Sequence, residues 1–312
     1  MVVPSFSSRG FSGIKKIIHV CSEYISAEIL LSAYDIIHHS INPSKMTFQS
    51  LTFIDSGGYE ISDDTDFSEI RGATKKQKTE AWNPDLHRSA LKSLDYDRPI
   101  VLVNYDNPDL RQNLETQIKR AQNLFREFPN AKSEILLKAE PHRDYEHKKS
   151  YLNVDKVIAL LGDLSDFDIL AATEKELGAS IFERMVNIAK IRKALSDRDR
   201  DTPLHIFGSL DPISTPLYFF AGADIFDGLT WLRYGYLDDL AIYQHNFGAQ
   251  ELGIPTKIAQ MHALIHSRNY TYLQNMQIKM KQFLLNDDFG VFGKHAKLFE
   301  NSAESLREEL GE

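Results

Sequence analysis

Short apolar runs alternate with amphipathic stretches along the first three quarters of the chain, and several of the runs end on a charged residue. Strands that are apolar on both faces belong to a parallel sheet covered by helices. At 312 residues the chain is long for one ordinary domain and suits a barrel with an appendage. These observations predict an α/β protein: a (β/α)8 TIM-type barrel over 1–245, with a C-terminal helical extension over 246–312 packed on it.

The elements carry that prediction in order. Strand-like runs are Ile17–Cys21, Leu51–Ile54, Ile100–Asn104 and Ile135–Leu137, then Asp168–Ala172, Leu204–Phe207 and Ala223–Phe226. Between them Leu110–Phe128, Val154–Leu161 and Ile181–Leu195 repeat apolar residues at three and four, the period of a helix with one buried face. Seven strands suggest a barrel rather than an open sheet. The eighth is not evident; Thr256–Ile265 is a candidate that reads equally well as helix. Ser62–Lys78 and Asp197–Thr202 are polar and read as loops. From Asn246 onward the pattern is helical, most strongly over Tyr270–Leu285, and the charged end, Asn301–Glu312, is expected to fray.

Composition narrows the function classes. With 42% hydrophobic and 26% charged residues, the chain has the make-up of a soluble globular protein with an ample core. A net charge of −8 does not advertise nucleic-acid binding, so any such contact needs a local basic patch. Cys21 is the only cysteine, which excludes an intrachain disulfide and a cysteine-rich zinc site. No metal and no cofactor is expected. The opening MVVPSFSSRGFSG lacks the apolar core of a signal peptide, and no run approaches the ~20 apolar residues that span a bilayer. A cytoplasmic protein without a membrane partner is the expectation.

The chain is organised around Leu51-Thr-Phe-Ile-Asp55-Ser-Gly-Gly-Tyr59. Strand-favouring residues run into a carboxylate and then into Gly57 and Gly58, where the backbone can turn abruptly and approach a ligand. Ordinary turn chemistry is the alternative. Other strands end comparably: Asp106 follows Ile100–Asn104, Lys138 and Glu140 follow Ile135–Leu137, and Glu174 and Glu176 follow Asp168–Ala172. Gly208 and Asp227 close the last two. In a parallel barrel these ends face one rim, where active sites are built. Converging charge says enzyme without naming a reaction.

Four segments together resemble one family. Phe53-Ile-Asp55-Ser-Gly-Gly-Tyr59-Glu60 resembles the Asp-Ser-Gly-Gly-Phe-Gln motif of tRNA-guanine transglycosylases. Ala223-Asp-Ile-Phe-Asp227-Gly-Leu-Thr-Trp-Leu-Arg233 resembles that family's Asp-x-Phe-Asp-Cys-x-x-Pro-Thr-Arg segment. Val103-Asn-Tyr-Asp106-Asn-Pro108 matches the position of its base-reading aspartate, and His205-Ile-Phe207-Gly208-Ser-Leu-Asp-Pro212 resembles its Met-Gly-x-Gly-x-Pro stretch. Order and spacing agree from Leu51 to Arg233.

The resemblance implies a (β/α)8 barrel that exchanges a guanine in nucleic acid, DNA or tRNA, for a free 7-deazaguanine base without cutting the backbone. It implies Asp227 as nucleophile, Asp55 as general acid/base, Asp106 as base reader, and Tyr59 and Phe207 as the faces that sandwich the base. Ser56, Gly57, Gly58, Gly208 and Arg233 lie in the same motifs, and Lys138 and Glu140 close a strand beside them; all are expected at the substrate. Glu140, Glu174 and Glu176 fall where the family places other base contacts. For Asp106 the alternative is a cap on a helix starting near Asp109, for Phe207 plain barrel core, and for Asp227 a solvated strand end.

The chemistry fits those roles. Breaking an N-glycosidic bond passes through an oxocarbenium-like state, which a carboxylate stabilises and can capture. A second carboxylate moves protons on and off the departing and arriving bases. An ionised Asp106 only accepts hydrogen bonds, which suits the N1–H and 2-amino edge of guanine.

The sequence also departs from the family. The cysteine cluster and His-Asn pair that hold the family's structural zinc are missing; Ser267-Arg268-Asn269 resembles the His-Asn helix with Arg268 at the ligand position. His262 and His266 have ligand spacing on a helix but read as surface or core histidines. Glu60 replaces the usual Gln, and Gly228 the usual Cys. These losses put the tRNA substrate in doubt and admit the branch that inserts 7-deazaguanines into DNA. Arg71, Lys75, Lys76 and Lys78 follow the Asp55 motif and are expected either to track a phosphate backbone or to form a solvated loop. Two other readings stay open: a nucleosidase-like enzyme acting on a free nucleoside or base, and a non-catalytic nucleic-acid-binding partner subunit. Whether the chain forms a homo-oligomer is equally open.

Overall fold

The computed structural model describes residues 1–9, 13–43, 46, 49–62, 79–106, 111–141 and 151–311. Eight parallel strands close into a barrel in sequence order, so the predicted (β/α)8 architecture with C-terminal helices is borne out. The first half runs β1 (Val2–Phe6), α1 (Ile14–Cys21), β2 (Glu28–Ser32), α2 (Ala33–His38), β3 (Leu51–Asp55), α3 (Gly58–Ile61), α4 (Pro84–Lys92), β4 (Ile100–Val103), α5 (Leu114–Phe125) and β5 (Lys132–Leu137). It continues with α6 (Val154–Ala159), β6 (Ile169–Thr173), α7 (Ile181–Ser196), β7 (Leu204–Phe207), α8 (Ser214–Phe220) and β8 (Ile225–Gly228). Beyond the barrel strands come α9 (Thr230–Arg233), β9 (Tyr234–Leu237), β10 (Leu240–Tyr243), α10 (Gln244–Leu252), α11 (Ile258–Asn286) and α12 (Ala296–Leu310).

Six of the seven expected strands are present as β3 to β8. The seventh, Ile17–Cys21, lies in a helix. Ile14, Ile18 and Cys21 are buried while Lys15 and Lys16 are exposed, a spacing of four and three that outweighs the β-branched content. The first two strands are instead Val2–Phe6 and Glu28–Ser32. Pro4 and Ser5 interrupt the apolar run of the former, and a helix follows the latter without a break. Thr256–Ile265 leads into α11 and supplies no strand.

By contact density the chain divides into two compact units, Val3–Ser150 with Leu160–Ala171, and Met1–Val2 with Tyr151–Ala159 and Ala172–Glu312. Within the first, β2 to β5 pair in parallel register, with Ser32 beside Asp55, Ile54 beside Leu102 and Val103 beside Glu134. Ile29, Leu31, Phe53, Ile54, Leu102 and Val103 are wholly buried, as expected of strands covered on both faces. Asn83 and Asn113 cap α4 and α5, each accepting first-turn N–H groups on its side chain.

Within the second, β7 and β8 pair in parallel with His205 beside Ile225. A hairpin absent from the sequence reading joins β9 to β10 through Asp238 and Asp239, both at φ near +50°, the turn geometry that suits hairpin twist. Phe220 of α8, Phe283 of α11 and Phe299 of α12 pack together, with ring centroids 5.0 and 5.6 Å from Phe220. Phe299, Ala303 and Leu306 bury one face of α12, which runs to Leu310. Among the described residues, no helix is long and apolar enough to cross a membrane.

Candidate active site

The exit of β3 is built by its two glycines. Gly57 has φ +83°, and a Cβ there would lie 2.8 Å from Trp82 Nε1 and 2.9 Å from Tyr34 Cβ. Trp82 Nε1 in turn donates to the Ser56 carbonyl at 3.0 Å. Only glycine meets both the left-handed conformation and the close indole. The Ser56 hydroxyl donates to Asp106 and lies 3.5 Å from Asp55 Oδ1, while Gly58 N–H donates to Ser56 Oγ at 3.1 Å. Asp55 itself is buried at the strand end.

Asp106 therefore belongs to this turn. The cap of α5 is Asn113, whose Oδ1 accepts from Thr116 N–H at 2.9 Å, and residues 107–110, where the alternative for Asp106 puts the start of a helix, lie outside the described residues. Lys138 Nζ lies 3.8 Å from Asp106 Oδ2, and both side chains are nearly dry, 17% and 10% exposed. Gln117 holds the peptide of Lys138 on both sides, accepting from its N–H and donating to its carbonyl, each at 2.9 Å. Glu140 Oε1 accepts from Leu114 N–H at 2.9 Å, at the start of α5.

Behind the turn sits a buried polar cluster. Glu60 accepts from the hydroxyls of Ser7 at 2.5 Å and Ser32 at 2.7 Å. Asp35 accepts from Ser8 N–H at 2.7 Å. Burial, then the neighbouring Asp35 charge, pushes Glu60 up to about 7; burial likewise raises Asp35. Arg9 donates to the Tyr59 carbonyl at 2.5 Å and to Ser62 Oγ at 2.6 Å, and its guanidinium lies 4.5 Å from the centroid of the Tyr59 ring. Tyr59 is thus braced through both its backbone and one ring face.

The second group of predicted residues lies on β7 and β8. Asp227 Oδ1 accepts from Gly208 N–H at 3.0 Å and lies 3.3 Å from His205 Nε2. His205 is fully buried and stacks on Phe207 at 4.1 Å between centroids. Gly208, at φ +78°, follows Phe207 directly. Gly228 stands where a Cβ would meet Leu210 Cβ at 3.0 Å and Leu210 N at 3.1 Å, which accounts for glycine after Asp227.

No family model and no curated protein matches this sequence.

The remaining predicted residues have plain positions. Arg233 is buried at the end of α9. Glu174 pairs with Arg184 at 2.9 Å, and Glu176 is buried with its carbonyl accepting from Leu152 N–H. Arg71, Lys75, Lys76 and Lys78 lie outside the described residues. Ser7 and Arg9 follow β1 and Ser32 ends β2, two strands that the pattern of apolar runs does not reveal. The signal lay in Val2, Val3 and Phe6 and in Ile29-Leu-Leu31.

Among the described residues, no group of three His, Cys, Asp or Glu is placed to hold a metal ion. Arg268 pairs with Glu251 and lies 6.0 Å from the Phe247 ring, joining α11 to α10. Asn269 is fully buried: its Oδ1 accepts from Tyr236 N–H at 2.8 Å, and its Nδ2 donates to the carbonyls of Trp231 at 2.6 Å and Tyr234 at 2.7 Å. His262 and His266 stack with centroids 6.0 Å apart, and burial pushes His266 down to about 4.

Proposed function

We propose that this chain is a guanine transglycosylase, related to the tRNA-guanine transglycosylases, that exchanges a guanine in DNA or tRNA for a 7-deazaguanine base through a covalent aspartyl–glycosyl intermediate. The observation that carries this reading is the hydrogen bond from Ser56 to Asp106, residues 50 positions apart. It sets the Asp106 side chain against the glycine turn that ends β3, and this supports its role as base reader.

The exchange then runs in two balanced steps. Asp227 attacks C1′ of the target nucleotide as the C1′–N9 bond breaks, and the departing guanine takes a proton at N9 from Asp55. The incoming base returns a proton from its own N9 to Asp55, attacks C1′ and releases the Asp227 carboxylate. Two features support these roles. The Gly208 N–H fixes one Asp227 oxygen, which orients a lone pair for attack. Arg9 braces Tyr59, whose ring would contribute stacking worth ~1–3 kcal/mol per base.

Incubation with radiolabelled guanine and either bulk tRNA or bulk DNA tests the proposal. Label entering one polymer is the expected result and names the substrate. Release of base from a free nucleoside, with neither polymer labelled, would replace it by the nucleosidase reading. Polymer binding without either reaction would leave a binding subunit.

A further inference from the structure

We infer that His205 is a positioning residue for the nucleophile: from Nε2 it donates to Asp227 Oδ1, reserves Oδ2 for attack, and stabilises the carboxylate as it leaves C1′. This rests on the reading of Asp227 as nucleophile and assigns what drives the second half of the exchange.

Placement comes first. His205 and Phe207 stand two residues apart on β7, Ile225 and Asp227 two apart on β8, and His205 pairs with Ile225. Side chains alternate between the faces of a strand, so His205 and Asp227 share a face as diagonal neighbours. Nε2 and Oδ1 are 3.3 Å apart. The imidazole is wholly buried and Asp227 is buried with it. The Phe207 ring lies 4.1 Å from the imidazole, with the two planes 29° apart, so packing sets the imidazole plane against the carboxylate. An apolar ring would serve core packing alone; an imidazole adds a polar edge that is costly to bury unless it meets a partner.

The chemistry follows from that contact. An ionised carboxylate only accepts hydrogen bonds, so the nitrogen facing it carries the hydrogen. The separation is slightly longer than the ~2.7–3.2 Å of a formed bond, and catalytic hydrogen bonds of this kind tighten when substrate fills the site. Gly208 N–H donates to the same oxygen at 3.0 Å. With both donors on Oδ1, Oδ2 is the oxygen that bonds C1′. In the second half of the exchange N9 of the incoming base attacks C1′ and its proton passes to Asp55. The C1′–Oδ2 bond breaks, and its electron pair returns to the carboxylate. Negative charge then grows over both carboxylate oxygens, where a buried, fixed donor counts most. His205 keeps its proton throughout. Its hydrogen bond is stronger to the free carboxylate than to the neutral ester, so it favours release over capture.

The test uses the full chain and whichever of bulk tRNA or bulk DNA the wild type labels with radiolabelled guanine. Covalent adduct is formed with that polymer, excess guanine is added, and loss of the adduct is followed by denaturing electrophoresis. This first-order decay is independent of how much of the protein is folded. His205→Phe keeps a stacked ring and removes the donor. Its adduct should decay about 10- to 100-fold more slowly than wild type, the loss of one hydrogen bond to a charged group. His205→Leu, a second side chain without a donor, carries the same expectation, and His205→Gln restores an N–H and should recover part of the rate. Thermal melting checks the fold of each. Decay at or above the wild-type rate in the donor-free variants, or no adduct from a variant that melts like wild type, would return His205 to core packing. If wild type labels neither polymer, the transglycosylase reading fails, and this assignment with it.

Discussion

The Asp106 carboxylate occupies the space that a Cβ on Gly58 would need. Gly58 sits in α3 without a positive φ, so its glycine answers to Asp106 and not to backbone conformation. Gly58→Ala should therefore displace the carboxylate and weaken guanine binding at least about tenfold, with an overpacking cost of about 1–3 kcal/mol. Gly57→Ala adds the left-handed penalty of ~1–2 kcal/mol to its clash with Trp82 and should destabilise more. Denaturant melts and guanine dialysis on both variants check this. Unchanged guanine affinity in Gly58→Ala would remove Asp106 from the base site.

Asp227→Ala should abolish exchange while leaving the barrel folded, because a strand-end residue carries little of the core. Asp55→Ala keeps the nucleophile but loses the proton that the departing guanine takes, so adduct formation should slow sharply together with exchange. Denaturing electrophoresis with polymer and a 7-deazaguanine should show a slow-migrating species with wild type, much less of it with Asp55→Ala, and none with Asp227→Ala. Near-normal exchange in Asp227→Ala would end the transglycosylase assignment.

Glu60 and Asp35 set one pH dependence. Both carboxyls hold their protons longer in the fold than in the unfolded chain, Glu60 to about 7 against 4.5 and Asp35 to about 6 against 3.8. Their contribution is full below the unfolded values and is lost as pH rises through 6 and 7. The buried His87, pushed down to about 3, and His266, at about 4, act oppositely: their contribution is full above 6.5 and is lost as pH falls through 4 and 3. Glu60→Gln retains one acceptor and one donor, like the neutral acid, and cannot ionise. Its melting temperature relative to wild type should rise from about pH 5 to about pH 8. A constant difference would show that Glu60 does not titrate in the fold.

Asn269→Ala should be among the costly single changes in the C-terminal region. It strips one N–H and two carbonyls of their buried partner, at ~1–3 kcal/mol for each group left unsatisfied. Asn269→Asp keeps the acceptor but sets a carboxylate oxygen against the two carbonyls, so it should cost at least as much. Chelator should leave wild-type melting unchanged; stoichiometric tightly bound zinc in fresh protein would contradict that.

Periodicity by itself determined the barrel. Burial on both faces writes a continuous apolar run, and one buried helix face writes a three–four repeat, so six strands and the main helices were legible within windows of a few residues. The glycine turn after Asp55 was legible for the same local reason. Tertiary structure decided what no window contains. Val2–Phe6 is a strand because β2 pairs with it, although Pro4 obscures its pattern. Ile17–Cys21 is a helix because one side alone is buried. Asp106 is bonded to Ser56, 50 positions away, and Glu60 is shared by Ser7 and Ser32. Each of those polar side chains takes its partner from a distant segment, because a buried polar group needs a hydrogen-bond partner and the fold, not the local sequence, decides which one is near.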